Sequence, residues 1–201
     1  MKEKNKDKEK DKKRPPKKIT RDYLHNAGLY YLQRFAASTS HFRKIMDRKI
    51  MRSCAFHKDQ DPDTCRALLD ELIIRFQDAG LLDDLLYTKG MITSMRRRGL
   101  SARAIKSRLN IKGLATELVK EQLRLYDEQT QTQTTCPADL QAAIILARKK
   151  RIGPYAPAAK KHTNTDTETQ NREKRRMLGI FARAGYSYDI AKKVMDMPPC
   201  T

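Results

Sequence analysis

Three groupings of side chains have types and spacings that could do chemistry. Asp83-Asp84 offers paired carboxylates, the usual equipment of general acid–base work. Neighbours on a helix point about 100° apart, however, so the two cannot converge on one atom. Asp83 at a helix start is more simply a negative charge favoured by the helix dipole. Cys54, His57 and Cys65 set donors at Cys-x2-His-x7-Cys spacing, but a fourth ligand at a recognisable interval is missing. Ordinary thiols and a solvated histidine are the plainer reading. His25 and His41 fall one on each of the first two expected helices, with no carboxylate at fixed spacing, which suits surface or packing roles. No P-loop, GxGxxG or HExxH occurs. The sequence thus offers no catalytic set and calls for no metal or cofactor.

Basic runs are the informative feature. Arg96, Arg97 and Arg98 close one expected helix, and Arg103, Lys106 and Arg108 follow on the next. Arg148, Lys149, Lys150 and Arg151 close another. Arg172, Lys174, Arg175, Arg176, Arg183, Lys192 and Lys193 crowd the last two. Cations complement the dipole at a helix C-terminus, which accounts for one or two per helix end but not for four in a row. A surface for a polyanion or an acidic partner is the expectation. Aromatic interleaving of the kind that stacks single-stranded bases is thin, with 8 Tyr and 5 Phe in the whole chain, many on apolar stripes.

Charge agrees with this. The 201 residues carry a net charge of +19, of which residues 1–18 supply +6 from ten basic and four acidic side chains. A field of that size favours a polyanionic partner over small neutral substrates. A hydrophobic fraction of 39% without Trp argues against one deeply buried globule. No uncharged run approaches the roughly 20 apolar residues of a membrane span, and no apolar stretch follows the basic N-terminus as a signal peptide requires. Four sparse cysteines read as reduced thiols. A cytoplasmic protein that does not engage membranes is expected.

Apolar residues recur at helical spacing throughout, as in Leu68, Leu69, Leu72, Ile73 and Phe76. Nine helices are expected, near 20–36, 39–53, 64–79, 83–98, 101–109, 114–126, 138–151, 171–184 and 187–197. Ser101 and Ser187 stand at N-cap positions, Gly80, Gly99, Gly113 and Gly185 at helix ends, and Pro62 and Pro137 at helix openings. Residues 1–18 read as a disordered basic tail, and 128–136 and the Thr-rich 153–170 as linkers. The expected modules are 19–60, 61–127 and 137–197. A faint repeat links Phe76-x-x-Ala79-Gly80-Leu81 to Phe181-x-x-Ala184-Gly185-Tyr186, and Gly99-x-Ser101 to Gly185-x-Ser187. Stacked helical repeats would bury a continuous core without one large module.

The stretch Phe76-Gln-Asp-Ala-Gly80-Leu-Leu82-Asp83-Asp84-x2-Tyr87, followed by Ser94-x2-Arg97-Arg98-Gly99 and closing on Lys112-Gly113, resembles the central signature of the RecX family, regulators of the bacterial recombinase RecA. Residues 27–46 are similar to the first module of that family, and residues 172–197 to its last. His41 stands after Ser38 where the family has a capping-box acid, which leaves the start of that helix less well fixed. The resemblance implies an all-α fold of three tandem three-helix modules, elongated and curved, with no enzymatic activity. It also implies a monomeric protein that lies in the groove of the RecA–DNA filament and restrains the recombinase. Two rivals belong to other classes: a sequence-independent helical protein acting directly on single- or double-stranded DNA, and, more distantly, a metal-dependent enzyme built on Cys54, His57 and Cys65.

Overall fold

The computed structural model of the chain describes residues 15–131, 136–156 and 167–198. Among them lie nine α-helices, one 3-10 turn at Gly153–Tyr155 and no strand. The helices are α1 (Arg21–Leu32), α2 (Thr39–Phe56), α3 (Pro62–Asp78), α4 (Asp84–Arg97), α5 (Ala102–Ile111), α6 (Thr116–Gln131), α7 (Ala138–Lys150), α8 (Thr167–Arg183) and α9 (Tyr188–Met195). No helix among the described residues is long and apolar enough to cross a membrane.

Helix starts follow the expected chemistry. Thr20, Asp61, Asp83, Ser101 and Ser187 each accept a hydrogen bond from a backbone N–H three residues on, satisfying a first-turn donor. Pro62 opens α3, where a missing backbone proton costs nothing. Helix ends explain the repeat. Leu81, Leu100, Leu114 and Tyr186 each donate a backbone hydrogen bond across a glycine to the carbonyl five residues back, on Phe76, Met95, Leu109 and Phe181. The echo between Phe76 and Phe181 is thus a shared helix ending with an apolar residue folded back over it. Ser101→Ala should cost about 1 kcal/mol, read as a lower denaturant midpoint, because it removes the acceptor for Ala104 N–H.

The described residues divide into two units: those up to Ala36 with Phe42–Leu82, and Ala37–His41 with those from Asp83 onward. Helix α3, expected in a module spanning 61–127, belongs instead with α1 and most of α2. The reason is visible in the first unit's core. Phe76 of α3 lies 5.8 Å, centroid to centroid, from Phe42 of α2 and 5.4 Å from His25 of α1. Gly28 of α1 sits against both phenylalanine rings, where a Cβ would come within 2.8 Å of Phe76. His25 is therefore a packing residue.

The second unit holds two apolar clusters, each from three consecutive helices. Ile92, Met95, Ile105, Leu109, Val119 and Leu123 join α4, α5 and α6, with Tyr87 against them. Ala142, Ala143, Leu146, Phe181, Ala191 and Val194 join α7, α8 and α9.

Several boundaries differ from the sequence expectation. Residues 1–14 of the expected tail lie outside the described residues, but residues 16–18 are docked on the first unit. The Pro16 carbonyl meets His57 Nε2 at 2.8 Å, Ser53 Oγ donates to the Lys17 carbonyl at 2.8 Å, and Lys18 pairs with Asp59. The expected linker from Glu128 begins as helix, since Arg124 ties Glu128 one turn on at 2.6 Å and Thr130 Oγ1 donates to the Tyr126 carbonyl. Likewise α8 takes in residues 167–170 of the Thr-rich segment, of which 157–166 lie outside the described residues.

Candidate polyanion-binding groove

The start of α2 lacks the capping-box acid, yet it is fully tied. Ser38 Oγ accepts from His41 N–H and donates to the Lys112 carbonyl, while Asp84 of α4 accepts from Thr39 N–H at 2.7 Å. The second acid of the Asp83-Asp84 pair therefore caps a neighbouring helix while the first caps its own. Neither faces the other as a catalytic dyad. Leu82 is buried. The signature residues Gly80 to Gly113 thus serve as helix ends, caps and core.

The Cys54, His57, Cys65 grouping also resolves into structure. The two thiols are buried 4.0 Å apart, and burial pushes the Cys65 thiol up to about 11. His57 turns to Pro16 instead. Among the described residues, no three His, Cys, Asp or Glu side chains are placed to share a metal ion.

Arg96 is a correction. The sequence placed it on a basic surface with Arg97 and Arg98, but its side chain is only 4% exposed. It holds Asp127 of α6 through Nε and Nη2 at 3.0 and 2.5 Å, Asp139 of α7 at 2.5 Å and the Leu100 carbonyl at 3.2 Å. Asp139 also accepts from Ala102 N–H at the start of α5. Burial opposes the charge on Arg96, but the bonds to Asp139 and Asp127 outweigh it and hold the guanidinium more firmly protonated than usual. Burial pushes the Asp127 carboxyl above its ordinary value, against the pull of Arg96. This arginine joins helices and is not part of a binding face.

The remaining cations converge better than their sequence positions suggest. Small residues Ala142, Ala143 and Ala147 let α7 pack closely, and the Gly99 turn rests on Ala142 and Leu146. That contact brings the ends of α4 and α7 together beside α8. The result is a groove of about 690 Å3 within the second unit, walled by Arg98, Arg108, Lys149, Lys150, Arg176 and Arg183 over an apolar floor of Leu100, Leu146, Ile152 and Ile180. Among the described residues, no carboxylate lines it. Lys149 reaches the Arg97 carbonyl at 2.6 Å, the helix-end role that any C-terminal cation can play. Arg98, Arg108, Lys150, Arg176 and Arg183 are all exposed. Six cations in one cleft focus a positive potential that a row of phosphates or carboxylates would neutralise.

The other sequence-named cations lie apart from the groove. Exposed Arg97 borders a smaller hollow with Tyr126 and Gln141, and Arg148 lies over the Tyr155 ring at 5.2 Å. Arg151 ends α7 in the left-handed conformation, with φ 52°. Arg103, Arg175, Lys192 and Lys193 are exposed, and Lys106 is half-buried. Sequence reasoning missed Asp127 and Asp139 as the partners that remove Arg96 from the surface.

This chain is 35% identical to Regulatory protein RecX of Myxococcus xanthus over 184 residues, covering 92% of this chain and 90% of that protein. The chain belongs to the RecX family. A second RecX protein, from Agrobacterium fabrum, is 29% identical over 175 residues, covering 87% of this chain and 83% of its own length. The crystal structure of RecX from Lactobacillus salivarius has the same fold, with a TM-score of 0.53 and 21% identity over 87% of this chain and 94% of that one. No family model matches the sequence. Within this RecX chain, the signature glycines and acids serve the fold, and the cations around the groove are exposed.

Proposed function

We propose that this protein binds the RecA–DNA nucleoprotein filament and restrains the recombinase by occupancy, with the six-cation groove of the second unit seated on a phosphate-bearing strand. Family membership supports the regulatory role, and the groove supports the polyanion. The observation that carries the reading is six cations lining one cleft, with no carboxylate among its described lining residues. On this reading the action is regulatory and not enzymatic, exerted by a monomer in the cytoplasm.

The test is a charge reversal confined to exposed groove residues. Lys150→Glu, Arg176→Glu and Arg183→Glu together should weaken binding to RecA-coated DNA strongly and lower inhibition of ATP hydrolysis in step. Each lost phosphate contact should take about one unit off the log–log salt slope. A loss of affinity with little change in slope would assign the groove to acidic recombinase side chains. Binding at parental strength by a folded triple variant would sink the proposal. Running naked DNA at matched salt with parent and triple variant separates this reading from direct DNA binding by the groove, which the variant would lose equally on both substrates.

A further inference from the structure

A second groove, in the first unit, combines cations with an exposed aromatic ring. It measures about 500 Å3 and is lined by Lys17, Lys18, Tyr23, Asn26, Tyr30 and Lys49, with no carboxylate among the described residues that line it. Tyr30 is 58% exposed; Phe35, Phe56 and Tyr188 are exposed as well, but only Tyr30 of these lies in a groove lined by cations. The guanidinium of Arg34, one turn on, lies 4.4 Å from the Tyr30 ring centroid. That contact orients the ring and covers one of its faces.

The docking of residues 16–18 builds this site. Ser53 fixes the Lys17 carbonyl and His57 meets the Pro16 carbonyl, so the backbone carrying Lys17 is held along the groove. Lys18 is engaged by Asp59, which leaves Lys17 and Lys49 as the cations offered to a ligand. The fourteen residues that precede Pro15 carry eight basic and four acidic side chains, so the positive field extends along the chain from this point.

We infer that this groove binds single-stranded nucleic acid, with one base stacked on Tyr30 and the flanking phosphates on Lys17 and Lys49. Each part has a physical reason. An exposed ring with a cation on one face offers its other face to a flat, electron-rich partner, and any nucleobase qualifies. Cations beside a stacking ring hold the backbone phosphates that flank the base. A duplex hides its base faces, so this chemistry selects an unpaired strand. The site is distinct from the second-unit groove and can operate without the recombinase.

The absence of tryptophan makes the test direct, because Tyr30→Trp in the full chain gives a single tryptophan emission. Titration with a short oligothymidylate should quench that emission. Tyr30→Ala should weaken oligothymidylate binding roughly ten-fold while leaving an abasic strand of equal length unaffected, and Tyr30→Phe should restore it. Lys17→Gln with Lys49→Gln should weaken both strands and lower the salt slope by about 1.4 units. Helix content by circular dichroism guards against misfolding, which the exposure of Tyr30 makes a small risk. Emission that ignores saturating oligothymidylate overturns the inference, as does equal loss on both strands. A response to recombinase protein alone, without nucleic acid, would also overturn it and assign the face to a protein partner. The second-unit charge reversal leaves this readout unchanged, so the two proposals fail separately.

Discussion

Arg96→Leu is expected to destabilise the protein by about 3 kcal/mol or more, whereas Arg97→Leu should shift stability by no more than about 0.5 kcal/mol. The two arginines are adjacent in sequence and opposite in role. Removing the Arg96 guanidinium leaves Asp127 and Asp139, 22% and 31% exposed, facing a cavity with no counter-charge. It also strips the Leu100 carbonyl of its donor. Partial contact of the two acids with solvent is why the lower end of the range for a broken buried pair applies. A pH signature should accompany the loss. Asp127 already has its carboxyl raised by burial, and losing Arg96 raises it further. A carboxyl raised in the folded state adds stability below its unfolded value and loses it as pH climbs through the folded one. The deficit of the variant should therefore shrink as pH falls through that window, in denaturant titrations run at a series of pH values.

Gly99→Ala should cost about 3 kcal/mol, and Gly80→Ala distinctly less. Both glycines hold positive φ, 79° and 69°, so alanine pays backbone strain of about 1–2 kcal/mol at either. Only Gly99 adds a collision. A Cβ there would stand 2.8 Å from the Ala142 carbonyl oxygen, the Leu146 nitrogen and Leu146 Cβ, and two of those atoms are backbone of α7. Around Gly80 nothing lies within 4 Å. Relieving the clash would push α7 off α4, at a further cost of about 1–3 kcal/mol. Because that contact also shapes the second-unit groove, Gly99→Ala should weaken polyanion binding without touching a charge. Comparing thermal midpoints and binding for the two variants checks both statements.

Local chemistry was readable in the sequence, and long-range chemistry was not. The serine and aspartate caps, the glycine-ended helices and the apolar stripes each depend on residues within one turn, so spacing reveals them. Arg96 could not be told from Arg97 and Arg98, because its burial depends on acids 31 and 43 residues away. Residues 16–18 resemble the rest of a lysine-rich tail, and only Ser53 on α2, with His57 and Asp59 just beyond it, distinguish them. The missing capping-box acid was correctly noticed near Ser38. Its replacement, Asp84, lies 45 residues on from the amide it serves. The candidate groove was legible as a set of basic runs, but which of those cations converge is decided by the Gly99 contact with α7.

The arginine node also sets a timetable for synthesis. Arg96 leaves the ribosome well before Asp127, and Asp139 emerges later still. The first turn of α5 must wait 37 residues for the carboxylate that accepts from Ala102, and the Ser101 amide waits for the Ala184 carbonyl near the end of the chain. The core of the first unit contains its own partners and can close while the rest is still being made, although the start of α2 waits for Asp84 and Lys112. The second unit has Arg96 without its second carboxylate until α7 arrives, and α5 imperfectly anchored until α8 is complete. A nascent chain stalled before Asp139 therefore exposes the half-finished α4–α6 cluster. Such fragments should be targets for chaperones and proteases, and truncations in this region should yield less protein than truncations just after the first unit.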